Sequence, residues 1–331
     1  MPRAYQGSFI TKTPITPSGP YQCGAASGVW TIDQMVGWQK AGLWPTAGNS
    51  FVGAIAIFAL GYTTAASTTR DKYTFSGCVV SSGAAASTAY YLGSAAGNAT
   101  VGIFALGYLC GIGQSTTRNK YTYSGDVNAL ATAASAASFA GSAAGNSTVG
   151  IFALGNCTTT RDKYTYSGCV NSSATASSAK SIFGSAAGNA TVGIFAIGNY
   201  TTTRNKYTYS GDTNGTATAA SAASQGGSAA GNSTVGIFAL GAISGPSTTR
   251  DKYTYSGCVN SSGTAASAAS YYNSAAGNAT VGIFALGYTT VSTTTRDKYT
   301  YSGCVNASAT AASAASYEGS AASNGTTGVN V

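Results

Sequence analysis

The phrase TTRDKYTYSGC, ending at Cys304, brings a guanidinium, a carboxylate, an ammonium, two phenols and a thiol within eleven residues. Near copies end at Cys78, Cys169 and Cys258. In two further copies, TTRNKYTYSGD, the acid leaves the seat after Arg and takes the last one, at Asp126 and Asp212. Groups of these types can serve nucleophilic, metal or ion-pair chemistry. The chain has no His among its 331 residues, which excludes Ser-His-Asp and Cys-His nucleophiles and His-ligated metals. Outside the repeated phrase the acids are Asp33 and Glu318, which make no catalytic carboxylate pair, and no phosphate-cradling glycine motif is present. The expectation is a protein that is not an enzyme and takes no metal or cofactor.

The moving acid follows a rule: Asp after Arg goes with Cys in the last seat, and Asn after Arg goes with Asp there. Each copy keeps one negative charge, expected to pair with its own strand's Arg or Lys or with an adjacent repeat. Cysteines one repeat apart fit neither a CxxC metal site nor a compact disulfide framework, so free, partly buried thiols are expected. Asn-x-Ser/Thr at Asn98, Asn146, Asn189, Asn232 and Asn278 travels with the repeat and is not read as a glycosylation signal.

The bases exceed the acids by 16 to 8, for a net charge of +8, and charged residues are only 7% of the chain. A ring of basic strands could attract phosphate or acidic surface sugars. The alternative is pairing within each repeat unit, with the charges keeping sheet edges soluble. Nucleic acid is not an expected partner, because the bases are evenly spread and each lies beside an acid.

The elements that hold these groups follow from the spacing. The Arg of the phrase falls at Arg70, Arg118, Arg161, Arg204, Arg250 and Arg296, a period in the forties that suits propeller blades. Between the Arg phrases runs a second one, AGNATVGIFALG or a variant, whose Val, Ile and Phe between glycines read as a short buried strand. RDKYTYS alternates with period two. Four strands per unit are expected, SAAGN, TVGIFALG, RDKYTYSG and TAASAAS, the last as in Ala131 to Ser138. Six such antiparallel units would form a ring without exposed edges. The C-terminal GSAASNGTTGVNV begins like a seventh first strand and could pair with the first unit. A β-solenoid is the competing architecture.

SAAGNATVGIFALG followed by TTTRDKYTYSG resembles the kelch-type propeller repeat. With GVWTIDQMVGWQKAGLWP at 28–45 it further resembles repeat proteins of tailed bacteriophages, of the virion structural and tail-fibre kind. The chain departs from cellular kelch in having a single glycine for the double one and no repeat Trp. The resemblance implies an all-β, six-bladed kelch-like β-propeller over 48–331, behind an extended and helical N-terminal segment, 1–47. That segment would be an attachment arm with Trp30, Trp38 and Trp44 as candidate attachment residues. It also implies a virion location, assembly in the host cytoplasm and release by lysis, consistent with an N-terminus that shows no signal-peptide core. Thr31 and Gln34 form a capping-box pattern for the helix. No apolar run is long enough for a membrane-spanning helix.

Comparison among the repeats shows where the chain varies: after the second strand, and between the fourth strand and the next unit. Both turns emerge on one face of an up-and-down blade. That face would present Tyr62, Tyr90, Tyr91, Tyr108, Phe139, Phe183, Tyr200, Tyr271, Tyr272, Tyr288 and Tyr317. Rigidly held amphipathic rings suit recognition, including stacking on sugars, although some could pack between blades instead. The expected role is a tail-associated adhesin for a host surface polysaccharide. The alternatives are a capsid-decoration or tail-spacer protein that binds other virion proteins, as a possible homo-oligomer, and an intracellular scaffold.

Overall fold

The chain divides into two compact units, Met1–Gly53 and Ala54–Val331. The structure, a computed structural model, describes residues 33–34, 54–75 and 78–325. Trp30, Trp38 and Trp44, Thr31 of the expected cap, and the rest of the expected arm lie outside the described residues; Asp33 and Gln34 have helical backbone and are exposed.

The second unit is built of strands. Where the run Val-Gly-Ile-Phe-Ala offers no polar side chain, both strand faces are buried, as at Val149–Ala153. It pairs antiparallel with the inner strand Ser142–Gly145 on one side and with Arg161–Thr165 on the other, and an outer strand, Val170–Ala174, completes the sheet. The same four-stranded order occurs six times among the described residues. We number the sheets 1 to 6 by their third strands, Arg70–Thr74, Arg118–Thr122, Arg161–Thr165, Arg204–Thr208, Arg250–Thr254 and Arg296–Thr300. A small three-stranded sheet, Tyr90–Tyr91, Tyr108–Leu109 and Gly113–Gln114, stands beside sheet 2. The architecture is a propeller-like repetition of sheets.

Sheet 1 takes its inner strand from the other end of the chain: Ser320–Ser323 pairs with Ile55–Ala59, placing Ala321 opposite Phe58. The inner strands Ser94–Gly97, Ser142–Gly145, Ser185–Gly188, Ser228–Gly231, Ser274–Gly277 and Ser320–Ser323 adjoin one another in that order, and the last adjoins the first. Only Ser, Ala and Gly fit where six strands converge. A Cβ on Gly102, in the neighbouring second strand, would lie 3.1 Å from Ala322 Cβ and 2.7 Å from Tyr123 Oη. The phenol of Tyr123 thus requires that glycine.

One expected strand is not a strand. The outer strand is the segment just after the glycine of SGC or SGD, such as Val127–Ala131, and the Ala/Ser run that follows it is a loop. The loop crosses onto the next sheet, where Ser135 donates from N (2.9 Å) and Oγ (2.5 Å) to the two carboxylate oxygens of Asp162. Ser221 meets Asp251, Ser267 meets Asp297 and Ser313 meets Asp71 in the same way. A ladder pairing would take these serines away from their carboxylates, and the buried acids need those donors.

Candidate ligand-binding face

The repeated arginines are interior. Arg118 reaches the next sheet, with Nη2 2.9 Å from Asp162 Oδ2, Nη1 2.7 Å from Asn171 Oδ1, and the guanidinium 4.6 Å from the ring centre of Phe152. All six are no more than 1% exposed, each over a Phe of the following sheet, closing with Arg296 over Phe58. The expectation of a basic ring open to phosphate or acidic sugars therefore fails for these residues. Pairing within a unit fails too, because alternation along the third strand aims Arg forward and Asp backward, into different interfaces. Burial pushes Arg161 down to about 10, since it faces Asn205 where Arg118 faces a carboxylate.

The lysines two residues on also point forward. Lys120, Lys206 and Lys252 lie 3.7, 3.6 and 3.3 Å from the thiols of Cys169, Cys258 and Cys304, and Lys72 lies 2.9 Å from Asp126. The six described cysteines are free, with Cys110 and Cys157 exposed and the four repeated ones half-buried. The repeated asparagines are structural: Asn146 Oδ1 accepts from Thr148 N and Val149 N, and its Nδ2 donates to Ala190 O of the next sheet.

The two variable loop sets meet at one face, as the repeat comparison implies. Nine rings run there in one chain of contacts: Phe139, Tyr108, Tyr91, Tyr62, Tyr317, Tyr288, Tyr271, Tyr272 and Phe183, with centroid separations of 4.6 to 6.2 Å. Tilted and edge-on pairs at these distances hold one another in place. Tyr200 stands apart and is 53% exposed. Tyr90 does not belong to the face: its ring is buried, with Oη 3.4 Å from Ser320 Oγ, where the other crossings carry a serine.

At the centre of this face the backbone closes on itself. Leu92 N donates to Glu318 O, Ala140 N to Leu92 O, Phe183 N to Ala140 O, Gly226 N to Phe183 O, Tyr272 N to Gly226 O and Glu318 N to Tyr272 O, at 2.6 to 3.0 Å. All six residues have positive φ, between 52° and 63°. Only one of the six is glycine, so five side chains are held in a backbone region that L residues rarely adopt. Glu318 is the single carboxylate among them, and burial raises its carboxyl to about 7.

The chain matches no protein-family model and no curated protein sequence. Reading the sequence alone missed Glu318 as a central residue and Gln225 as part of the face. The available signal was positional: both occupy crossing seats that hold aromatic or aliphatic side chains in other repeats.

Proposed function

We propose that the protein is a six-bladed, kelch-like β-propeller of a tailed-phage virion, a non-enzymatic tail-associated adhesin that binds host surface polysaccharide through its aromatic face. Support for six blades in a ring comes from the inner strands that adjoin in cyclic order and from the closed circuit of six backbone hydrogen bonds. The observation that carries the binding role is the chain of nine aromatic rings on loops anchored by rigid sheets. Such rings offer flat apolar surface with a polar edge, which suits the C–H faces and hydroxyls of sugars. The virion location rests on the sequence resemblance. The test is binding of the purified chain to immobilised bacterial surface polysaccharides and to intact cells. Binding that survives replacement of Tyr91, Tyr271 and Tyr272 by Ala, or no binding to any polysaccharide, overturns the reading.

A second reading, a capsid-decoration or tail-spacer protein, has its own support. Val79, Val127, Val170, Val259 and Val305 begin five of the outer strands and are each 53–54% exposed. Unpaired outer edges with a repeated apolar side chain suit lateral contact with other virion proteins or with further copies of this chain.

A further inference from the structure

One crossing, from sheet 4 to sheet 5, contributes no ring to the aromatic chain, which passes over it by the contact of Tyr272 with Phe183. Gln225 holds the seat that is Tyr91, Phe139, Tyr271 or Tyr317 in other repeats, Gly226 the seat of Phe183 and Tyr272, and Ala242 the seat of Tyr62, Tyr108 and Tyr288. Three bulky side chains are missing from adjoining positions, since Gln225 and Ala242 exchange two backbone hydrogen bonds at 3.0 and 2.8 Å. The gap is a concavity of about 310 Å³, walled by Tyr200, Tyr271 and Tyr272, with Gln225, Ser244 and Pro246 completing it. That size falls at the lower end of small-molecule sites, about 300–1,000 Å³.

Two features set this concavity apart from the clefts at the opposite turns. Those clefts recur between sheets 3 and 4 and between sheets 5 and 6 with the same residue types, Lys163 or Lys252 among them, as repeated geometry demands. Here, by contrast, Tyr200 is a large ring left in solvent on a turn with φ of 51° at Asn199 and 53° at Tyr200. A turn with two positive φ values favours Gly in its second seat, so a tyrosine there costs stability. The Gln225 side-chain amide makes no hydrogen bond among the described residues, and it adjoins the gap with a donor and an acceptor free.

We propose that this concavity is the primary sugar subsite, and that its ligand is a neutral hexose or N-acetylhexosamine unit of a polysaccharide. The pyranose ring stacks between Tyr200 and Tyr271, and the Gln225 amide bonds a pair of its hydroxyls. No charged residue lines the concavity, and the six repeated arginines are buried, so nothing there compensates a sialic or uronic acid carboxylate. The inference deepens the adhesin reading and rests on it.

The test probes the full chain against an array of neutral oligosaccharides and their sialylated and uronate-bearing counterparts, at low and high salt, alongside the variants Tyr200→Ala, Gln225→Ala and Tyr108→Ala. The expected result is binding to neutral probes, insensitive to salt, weakened about tenfold or more by Tyr200→Ala and Gln225→Ala and weakened less by Tyr108→Ala, a ring of the face outside the concavity. Unchanged melting of the variants separates loss of the site from loss of the fold. Binding that Tyr108→Ala abolishes and Tyr200→Ala leaves intact overturns the subsite and spares the adhesin. Salt-sensitive binding confined to acidic probes overturns the neutral class. No binding by the unaltered chain overturns both readings.

Discussion

Asp126 Oδ2 lies 2.9 Å from Lys72 Nζ, across the interface between sheets 2 and 1, at a seat where three other interfaces place a thiol opposite the lysine. The moving acid is thereby explained. Each interface has two basic groups, the buried Arg and the half-exposed Lys of one sheet, and one carboxylate from the next, facing either of them. Where Asp faces the Arg, Cys faces the Lys; where Asn119 faces Arg70, Asp126 faces Lys72.

The two seats should therefore be coupled. Asp126→Cys removes the only carboxylate of its interface and also the acceptor for Ala84 N, and should cost about 2 kcal/mol in urea unfolding. Adding Asn119→Asp recreates the arrangement at Arg118, Asp162, Lys120 and Cys169, and should return stability to within about 0.5 kcal/mol of the unaltered chain. Asp162→Asn, which strands Arg118 with both side chains fully buried, should cost more, about 3–5 kcal/mol. Additive effects of the first two changes would contradict the shared charge.

The thiol of Cys304 should be chemically distinct from that of an ordinary surface cysteine. The neighbouring Tyr299 phenol, and then Lys252, hold the Cys304 thiol below its usual range. A larger thiolate fraction near pH 7 should let iodoacetamide alkylate Cys304 a few times faster than it alkylates the same residue in Lys252→Met or Tyr299→Phe. Exposed Cys110 and Cys157 give the internal reference by mass spectrometry.

Pairing of the C-terminal strand with sheet 1 should govern cooperativity. Removing 320–331 leaves the second strand of sheet 1, Ile55–Ala59, with one bare edge, exposes Phe58 and Ile57, and takes away the strand between the inner strands of sheets 6 and 2. The expected result is loss of a single unfolding transition and rapid proteolysis beginning in sheet 1 or sheet 6. A synthetic peptide with the sequence GSAASNG should partly restore protection, because the missing element is one strand's worth of ladder.

How much of this was legible beforehand depends on the kind of signal. The second and third strands were readable because Val-Gly-Ile-Phe-Ala and Arg-Asp-Lys-Tyr-Thr carry apolar content and period-two alternation. The outer strand was not, because Val-Asn-Ser-Ser-Ala is as polar as a loop, and the Ala-rich loop after it has the composition of a packed element. The aromatic face was recoverable by aligning the repeats against one another. Tyr90 was misplaced there because adjacent tyrosines in one crossing point to opposite sides, one to the core and one to the belt. The direction of the Arg pairing was hidden as well, since chain order places Asp71 beside Arg70 while the pleat sends them to different neighbours, Arg296 and Asn119.

Glu318 gives the face a pH response. Its carboxyl is raised from an ordinary 4.5 to about 7 by burial at the centre of the hydrogen-bonded circuit, and it makes no salt bridge among the described residues. Below pH 4.5 the folded and unfolded states are both protonated there, and the residue has no pH-dependent effect. As pH rises from 4.5 to 7 the unfolded chain loses the proton while the folded chain keeps it, so the folded state binds more protons and stability falls. Above about 7 both are ionised and the loss is complete. Glu318→Gln removes this titration, so the variant and the unaltered chain should melt alike near pH 4, and the variant should melt progressively higher up to pH 7 and hold that margin beyond it. A margin that shrinks between pH 5 and 7 would mean that a cation reaches the carboxylate and that its burial is not the controlling influence.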